Sequence, residues 1–362
     1  MLQNELPRLV RDHGICATYN LINFLNGMIG PGCFSVAMAF KQVLFQTAFF
    51  LVFFLGAVST ISMHKIVKCS QFLSRQTGTN HLDYGNMAES AFKHSQYEIF
   101  VRHKRKARYF VNFCLIAFQV GVASVAYVFV VDHLQEVSYS IYMVIILFFP
   151  LQLPGQLVQV LPLENKLKHP EDMLGLTGVL TTGMSLVTII YTYCGFFGYI
   201  TYGENVQGSI TLNLPDSGLN VAVKILLVLV VFFGNVLQMY VIIEMLWPPL
   251  RNKLELKKKS NTTILILEYL FRAGVVCFAM LWAIAIPNLQ EIIPFVGITA
   301  GMLLSLIIPS IIDLIVFSRL RFENDSTLQN VWFVMHNLFL CIMGFFFLIS
   351  GLQANVVSLI NK

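Results

Sequence analysis

Long apolar runs alternate with shorter polar segments along the sequence, and this alternation is its dominant pattern. A hydrocarbon core of about 30 Å requires roughly 20 consecutive apolar residues in a helix. Nine runs approach or exceed that length: 15–40, 44–66, 109–131, 139–161, 174–202, 221–247, 264–286, 291–317 and 330–352. The pattern therefore predicts an all-α polytopic membrane protein in which residues 1–362 form a single transmembrane domain.

The first apolar run contains an unusual polar stretch, residues 20–36, with three Asn, three Gly and a Pro. Asn20, Asn23 and Asn26 recur every three residues, which predicts that they share one helix face. Residues 27–32 (GMIGPG) should end that helix, because Gly is a poor helix former and Pro lacks an amide donor. Inside a bilayer, a broken helix is tolerated where its freed backbone groups are buried in protein or line a wet cavity. The stretch thus predicts a polar site near the bilayer midplane.

Composition and charge support a membrane protein and indicate its orientation. The chain is 56% hydrophobic and only 12% charged, whereas soluble domains carry about 25% charged residues. All but four of the 24 Lys and Arg residues lie in alternate polar segments. The positive-inside rule then predicts a cytoplasmic N-terminus and a cytoplasmic loop at 67–108. The net charge of +5 reflects this topology, and no nucleic-acid partner is expected.

No arrangement of residues indicates an enzyme. The seven Cys are scattered without metal spacing or a disulfide framework, and the loop His residues also lack metal spacing. No Ser, His and Asp set suggests a catalytic site. We therefore expect no catalytic residues, no metal and no cofactor.

Several motifs resemble one transporter family, and they follow one another in order along nearly the whole chain. They are GMIGPG at 27–32, MHKIVKC at 63–69, DYGN at 83–86, LPLENK at 161–166, QGSITLNLP at 207–215 and IPNL at 286–289. The sequence resembles the proton-coupled amino acid transporters of the amino acid/auxin permease superfamily. LPLENK and QGSITLNLP are the longest and most specific of these matches.

The resemblance implies a bundle of the leucine-transporter type, with eleven spans of which ten form two inverted repeats. In such a bundle the amino acid site lies where the first and sixth helices are both broken. Nine spans are predicted here, and the shortfall lies between Pro150 and Leu161, where the family has a fifth span and most of a sixth. The chain therefore resembles an internally shortened member with an incomplete inverted-repeat bundle.

Within this family site, the first broken helix supplies most of the candidate substrate-binding residues. They are Asn23, Gly27, Met28, Ile29, Gly30 and Gly32. A half-helix N-terminus suits a carboxylate, and unwound carbonyls suit an ammonium group. The alternative interpretation of the glycines is close packing of small residues between helices. A hydroxyl stripe, Thr181, Ser185, Thr188 and Thr192, adds Thr188 as a further candidate, with interhelical packing again the alternative.

Candidate coupling groups are fewer. The resemblance implies a His where this chain has Asn23, and Asn does not titrate, so coupling to a proton or to another cation both remain open. Glu244 is the coupling candidate, because the family has an acid in a similar segment. Glu244 and Asp313 both lie near the inner ends of their runs, so structural pairing or snorkelling is the alternative interpretation of both acids, and Glu268 should pair with Arg272 four residues later.

Together these features predict secondary active transport of small neutral amino acids by alternating access, coupled to a proton or another cation. The expected partners are a small neutral amino acid, the coupling ion and the lipid bilayer, in a plasma membrane or a lysosomal or endosomal membrane. Two alternatives stay open. The chain could be a non-transporting relative that acts as an amino acid sensor or regulatory partner, or it could be an inactive truncated isoform.

Overall fold

The computed structural model describes residues 11, 14–43, 45–79, 82–136, 160–215, 217–255, 259–285, 289–324 and 326–360. Within these ranges the regular structure is helical, apart from one isolated bridge between Ile15 and Leu167. The α-helices are Ala17–Met28 (α1), Pro31–Gln42 (α2), Phe45–Thr77 (α3), Tyr84–Lys93 (α4), Glu98–Glu136 (α5), Val160–Lys166 (α6), Val179–Tyr202 (α7), Gly218–Lys253 (α8), Asn261–Ala285 (α9), Leu289–Val296 (α10), Ile308–Asn324 (α11) and Thr327–Ile360 (α12).

The described helices confirm a polytopic all-α membrane protein. Seven of them are long and apolar enough to cross a membrane, or eight spans result if the bent pair α1–α2 counts as one. The predicted span 139–161 falls almost entirely outside the described residues. Residues 67–108, predicted as a cytoplasmic loop, are helical along most of their length, because α3 continues to Thr77 and α5 already begins at Glu98.

Helices α1, α2 and α7 pack closely through small residues. A Cβ atom added at Gly195 of α7 would lie 2.6 Å from Phe40 of α2, and one at Gly183 would lie 2.5 Å from Phe24 of α1. Both aromatic rings are fully buried. The glycines let the helix axes approach, so α7 is held against both halves of the interrupted first span.

A second packed unit joins α3, α4, α5, α11 and α12. Asp83 caps α4 by accepting a hydrogen bond from the Asn86 amide, which fixes the start of this amphipathic helix. Met87 of α4 is then buried in a core formed with α3, α5 and α11. Arg108 and Glu89 form an ion pair over this core at 3.2 Å.

Helix α5 runs through the middle of the fold. Residues 125–130 are buried one after another, so every side of this helix turn is covered, chiefly by α8, α9 and α10. The Ser124 hydroxyl donates a hydrogen bond of 2.8 Å to the Ala279 carbonyl of α9. This contact satisfies a polar group inside an otherwise apolar interface.

The segment between α10 and α11 is helical but contains two π-helical stretches, Gly297–Gly301 and Leu303–Ile307. A π turn closes its hydrogen bond over one more residue than an α turn. The α-helical hydrogen-bonding pattern of the span 289–324 is therefore interrupted, although the backbone stays helical and the span is not separated into two helices.

Candidate functional site

The first span is broken where the sequence predicts. Helix α1 ends at Met28 and α2 begins at Pro31, with a bend of 52° between them. Ile29 and Gly30 connect the helices in extended conformations, with φ/ψ of −91°/95° and −129°/−165°. Pro31 occupies the first position of α2, where its missing N–H costs little and its fixed φ suits a helix start. The break is therefore a consequence of the Gly-Pro pair.

The start of α2 lacks a side-chain cap. The Cys33 amide bonds back to the Gly30 carbonyl at 3.0 Å, and the Ile29 amide closes the last turn of α1 on the Leu25 carbonyl at 2.9 Å. A Cβ atom built at Gly30 would meet no atom within 4 Å. The start of α2 is therefore an uncapped, positively polarised helix end, and the space beside Gly30 is open.

Tyr191 of α7 holds the broken region in place. Its hydroxyl donates a hydrogen bond of 2.9 Å to the Met28 carbonyl, one of the backbone oxygens freed by the break. Next to it, the Sγ atoms of Cys33 and Cys194 lie 3.6 Å apart across the α2–α7 contact. The sequence reasoning missed Tyr191, although a Tyr inside an apolar span generally requires a polar partner for its hydroxyl.

The three Asn residues of α1 do not share one environment. Asn20 is fully buried, and its amide nitrogen lies 3.9 Å from the Met173 sulfur, whereas Asn23 and Asn26 are exposed. The predicted common face fails because a three-residue step falls about 60° short of a full helical turn. Asn23 and Asn26 lie on the exposed side of α1, and Asn20 belongs to the core.

Thr188 lies in a different place from the break. The hydroxyl stripe of α7 faces α3, and a Cβ atom at Gly56 of α3 would lie 2.4 Å from the Thr188 Oγ1. Thr181, Ser185 and Thr188 line a cavity of about 970 Å³ between α3, α7, α11 and α12, here called the α3–α7 cavity. Thr188 donates its hydroxyl proton to the Met184 carbonyl of its own helix, at 2.8 Å. The geometry therefore groups Thr188 with α3, whereas Tyr191 contacts the break.

The segment before α1 forms backbone hydrogen bonds with the end of α6 and the residues just after it. The Ile15 amide donates to the Lys166 carbonyl at 2.8 Å, and the Lys168 amide donates to the Ile15 carbonyl at 3.1 Å. A Cβ atom at Gly14 would come within 2.3 Å of the Lys168 backbone, so only glycine permits this approach. We call the contact of residues 11–15 with 164–168 the N-terminal latch.

Glu164 is the buried centre of the latch. The side chains of Arg11 and Gln71 both reach its Oε1 atom, at 3.3 and 3.4 Å. Its other carboxylate oxygen has no hydrogen-bond partner within the described part of the chain. Burial raises the pKa of the Glu164 carboxyl, and the nearby Arg11 and Gln71 oppose that rise.

Glu244, the coupling candidate, lies exposed on α8 beside the end of α6. Burial lowers the pKa of Lys166, and the negative charge of Glu244 acts in the opposite direction. The structure therefore brings Glu244 close to the latch and gives it a cationic neighbour.

The other membrane-embedded charges are paired. Asp313 accepts a hydrogen bond from Asn337 at 3.0 Å and lies 3.8 Å from the Lys65 Nζ atom, which confirms the expected structural pairing. Lys65 also donates to the Asn337 side chain at 2.6 Å. Glu268 and Arg272 form the predicted i,i+4 ion pair. In the part of the chain that the structure describes, no three His, Cys, Asp or Glu side chains are placed to share a metal ion.

Comparison with known proteins identifies similar sequences. The family model described as "Transmembrane amino acid transporter protein" matches in two segments, 13–158 and 155–356. The chain is 26% identical over 419 residues to the "Probable amino acid transporter skat-1" of Caenorhabditis elegans, covering 96% of this chain and 91% of that protein. It is 35% identical over 203 residues to the "Proton-coupled amino acid transporter-like protein pathetic" of Drosophila melanogaster, covering 56% of this chain and 41% of that protein.

Proposed function

Because this chain belongs to the transmembrane amino acid transporter protein family, within the amino acid/auxin permease group, we propose that it carries small neutral amino acids across a membrane by alternating access. Transport is coupled to a proton or to another cation. The observation that carries this proposal is the break between α1 and α2, where the N-terminus of α2 has no side-chain cap and the space beside Gly30 is open.

The two charged ends of an amino acid match the two helix ends at the break. The carboxylate binds at the start of α2, where free N–H groups and the helix dipole favour an anion. The ammonium group binds among the carbonyl oxygens that the end of α1 leaves without helical partners. Gly27, Met28, Ile29, Gly30 and Gly32 provide this backbone, and Asn23 adds a hydrogen-bonding side chain on the exposed face of α1.

The preference for small substrates follows the family resemblance, and the open space beside Gly30 provides room next to the break. Thr188 is retained as a secondary candidate. It lies three residues before Tyr191, which contacts the break, so a shift of α7 against α3 would change its exposure to substrate.

For coupling we propose Glu244, because Asn23 cannot titrate. Its neighbour Lys166 is the last residue of α6 and pairs through its backbone with Ile15. Neutralising Glu244 would remove a favourable interaction with Lys166 and loosen α8 from the latch. Binding of the coupling cation would thereby favour one conformation of the latch over the other.

Alternating access then requires the N-terminal latch to open and close. The latch ties the segment before α1 to α6, and a substrate beside α1 cannot leave at that end while the latch is closed. The distribution of Lys and Arg supports a cytoplasmic N-terminus, so this end is the cytoplasmic one. The same reasoning is compatible with a plasma membrane and with a lysosomal or endosomal membrane.

The direct test is uptake of labelled small neutral amino acids into vesicles that contain the purified full chain. Parallel experiments impose a pH gradient, a Na⁺ gradient or neither. Uptake that rises with one gradient supports coupling to that cation. Glu244→Gln should abolish this increase but leave the uptake measured without a gradient unchanged. Glu255→Gln, a change at an exposed acid beyond the end of α8, is the matched control. Absence of uptake in all three conditions would contradict the transport proposal.

A sensor or regulatory relative is the second candidate, and one observation favours it. The family match comes in two pieces that meet near residues 155–158, and the alignment to the C. elegans relative is longer than this 362-residue chain. The relative therefore has residues that this chain lacks, as an internal shortening would require. A sensor binds amino acids without moving them, so a ligand-induced rise in unfolding temperature without uptake would distinguish it from a transporter. Neither binding nor uptake would indicate an inactive truncated isoform.

A further inference from the structure

The side chain of His64 lies between α3 and α7 and lines the α3–α7 cavity. Its Nδ1 atom lies 3.0 Å from the Thr60 carbonyl oxygen, one turn earlier on α3, and its Nε2 atom lies 3.3 Å from the Thr181 hydroxyl oxygen of α7. The Thr181 hydroxyl also donates a hydrogen bond of 2.6 Å to the Gly175 carbonyl. His64 is therefore linked through Thr181 to the segment before α7.

These three contacts together require three hydrogen atoms. A carbonyl oxygen can only accept, so Nδ1 of His64 must carry a proton toward Thr60, and the single hydroxyl proton of Thr181 must lie toward Gly175. The hydroxyl then has no proton to offer to Nε2, so Nε2 must be a donor as well. The doubly protonated, positively charged imidazole satisfies all three contacts.

A neutral His64 cannot make the same three contacts. When Nε2 loses its proton to solvent it becomes an acceptor, and the Thr181 hydroxyl can satisfy it only by turning its proton away from Gly175. The other neutral tautomer would place the lone pair of Nδ1 against the Thr60 carbonyl. Protonation of His64 thus decides whether Thr181 bonds to Gly175.

Residues 174–178 lead into α7 and are here called the Gly175 turn. Gly175 has a φ of +102°, a conformation that favours glycine, and the neighbouring Leu176 is 92% exposed. The Gly175 carbonyl also accepts from the Gly178 amide at 3.3 Å, but that bond stays within the turn. The shorter bond from Thr181 joins the turn to the first turn of α7. The first three residues of the Gly175 turn line the cavity, so this bond holds one of its walls.

Charged and titratable groups from three helices face His64 across the cavity. They are Lys65 and Lys68 of α3, Asp313 and Arg321 of α11, and His336 of α12, whereas the lining residues of α7 and of the Gly175 turn are uncharged. The negative charge of Asp313 favours protonation of His64, and the positive charge of Lys65, 3.8 Å from Asp313, opposes it. His336 is a second histidine in the cavity, so a pH effect has to be assigned to one of the two.

We infer that His64 is a proton-binding site that controls the Gly175 turn. With the proton bound, Thr181 holds the turn against α7, and loss of the proton to solvent releases it. The distribution of Lys and Arg supports a cytoplasmic position for this turn, so the site responds to cytoplasmic pH. Residues 27–32 do not line the cavity, so the site is separate from the break.

The experiment measures the mobility of a nitroxide spin label on the Gly175 turn between pH 5 and 8, the range in which histidine ordinarily changes charge. The label is attached at Leu176→Cys in the full chain, with the exposed Cys16 and Cys277 replaced by Ala. The ratio of mobile to immobile label should rise about fivefold with pH, the effect of one ordinary hydrogen bond. A label at Leu328→Cys, an 81% exposed position on α12, should not respond. A Leu176→Cys label whose mobility is independent of pH would overturn the proposal.

Histidine variants assign the effect to one side chain. His64→Gln should remove the pH dependence, because Gln does not titrate, whereas His336→Gln and His103→Gln should retain it. His103 is the matched control, because its Nδ1 atom lies 2.8 Å from the Ile99 carbonyl oxygen one turn earlier, but it does not line the cavity. A pH dependence that is lost in His336→Gln and kept in His64→Gln would contradict the assignment to His64.

Variants of Thr181 test the connection to the turn. Thr181→Val removes the hydroxyl and keeps the side-chain shape, so the label should be mobile at every pH. Thr181→Ser should restore the pH dependence, which excludes a folding defect as the cause of the Val result. A pH dependence that persists in Thr181→Val would show that other contacts hold the turn. These measurements use no amino acid substrate, so their failure would leave the transport proposal untouched.

Discussion

The α1–α2 break and the Lys65–Asp313–Asn337 cluster are both polar features of membrane helices, but they treat polarity in opposite ways. At the break the polar groups are backbone amides and carbonyls, and the space beside Gly30 is open. In the cluster the polar groups are two charged side chains and one amide side chain, and they bond to one another across α3, α11 and α12. The break keeps hydrogen-bonding groups available for a ligand, whereas the cluster uses its hydrogen-bonding groups within the fold.

The difference teaches how to separate binding from structure in such a bundle. A formal charge inside a membrane is costly, so a side chain that carries one is paired by the protein. Backbone dipoles cost less to leave for a ligand, because they carry partial charge and one of the freed carbonyls is already held by Tyr191. We therefore expect substitutions in the cluster to change stability and substitutions at the break to change transport.

The largest effect is expected from Asp313→Ala. Removing the carboxylate leaves the positive charge of Lys65 without its acidic partner, so the free energy of unfolding should fall by about 3–5 kcal/mol. Denaturant unfolding in detergent measures this change. Glu323→Ala, which breaks the exposed pair with Arg319, should cost about 0.5 kcal/mol or less. Similar losses of stability in both variants would show that burial does not increase the contribution of the cluster to the free energy of unfolding.

The next largest effect is expected from Gly30→Leu. The new side chain enters space that the protein leaves open, so unfolding should be unchanged, whereas amino acid uptake should fall at least tenfold, or about 1.4 kcal/mol. Gly274→Leu on α9, also free of neighbours within 4 Å of a Cβ atom, is the matched control and should keep normal uptake. Normal uptake by Gly30→Leu would move the substrate site away from the break.

A smaller effect is expected from Tyr191→Phe. The change removes the hydrogen bond to the Met28 carbonyl but retains the ring, so the free energy of unfolding should fall by roughly 0.6–1 kcal/mol. The affinity for amino acids should change as well, since the end of α1 is less firmly held. Tyr193→Phe, at a 63% exposed ring on the same helix, should alter neither quantity. An unchanged stability for Tyr191→Phe would mean that α1 and α2 are held by packing alone.

The smallest effect is expected from Glu164→Gln. One oxygen of the Glu164 carboxylate is hydrogen-bonded within the fold, and the other has no partner in the described part of the chain. Its pKa is raised by burial, so the folded protein holds this proton to higher pH than the unfolded chain does. The stability contributed by the proton is complete below the ordinary value of 4.5 and is lost as pH rises through the raised pKa. The Gln variant should therefore show a weaker decline of unfolding temperature with rising pH over this window. Glu171→Gln, at a half-exposed acid that pairs with Arg75, should keep the original decline.

The sequence was sufficient for features that depend on neighbouring residues. Gly-Pro at 30–31 predicted the break, and the acid at 313 predicted structural pairing, since both follow from local chemistry in an apolar run. The prediction that Asn20 and Asn23 share one helix face was wrong, because a three-residue step drifts around the helix. Tyr191 and the N-terminal latch were missed, since their partners lie about 150 residues away and only packing brings them together.

The two π-helical stretches at 297–307 determine the rotational phase of α11, which continues from them. Each holds one residue more than the α-helical hydrogen-bonding pattern requires, and one residue corresponds to about 100° of rotation. Asp313 lies only six residues beyond the second stretch. Deletion of one residue there would turn its carboxylate about a quarter of a circle away from Lys65, without altering any residue of the cluster. The π turns thus set the rotation of α11 relative to α3. The charge pair therefore depends on the number of residues before Asp313 as much as on the identity of the paired residues.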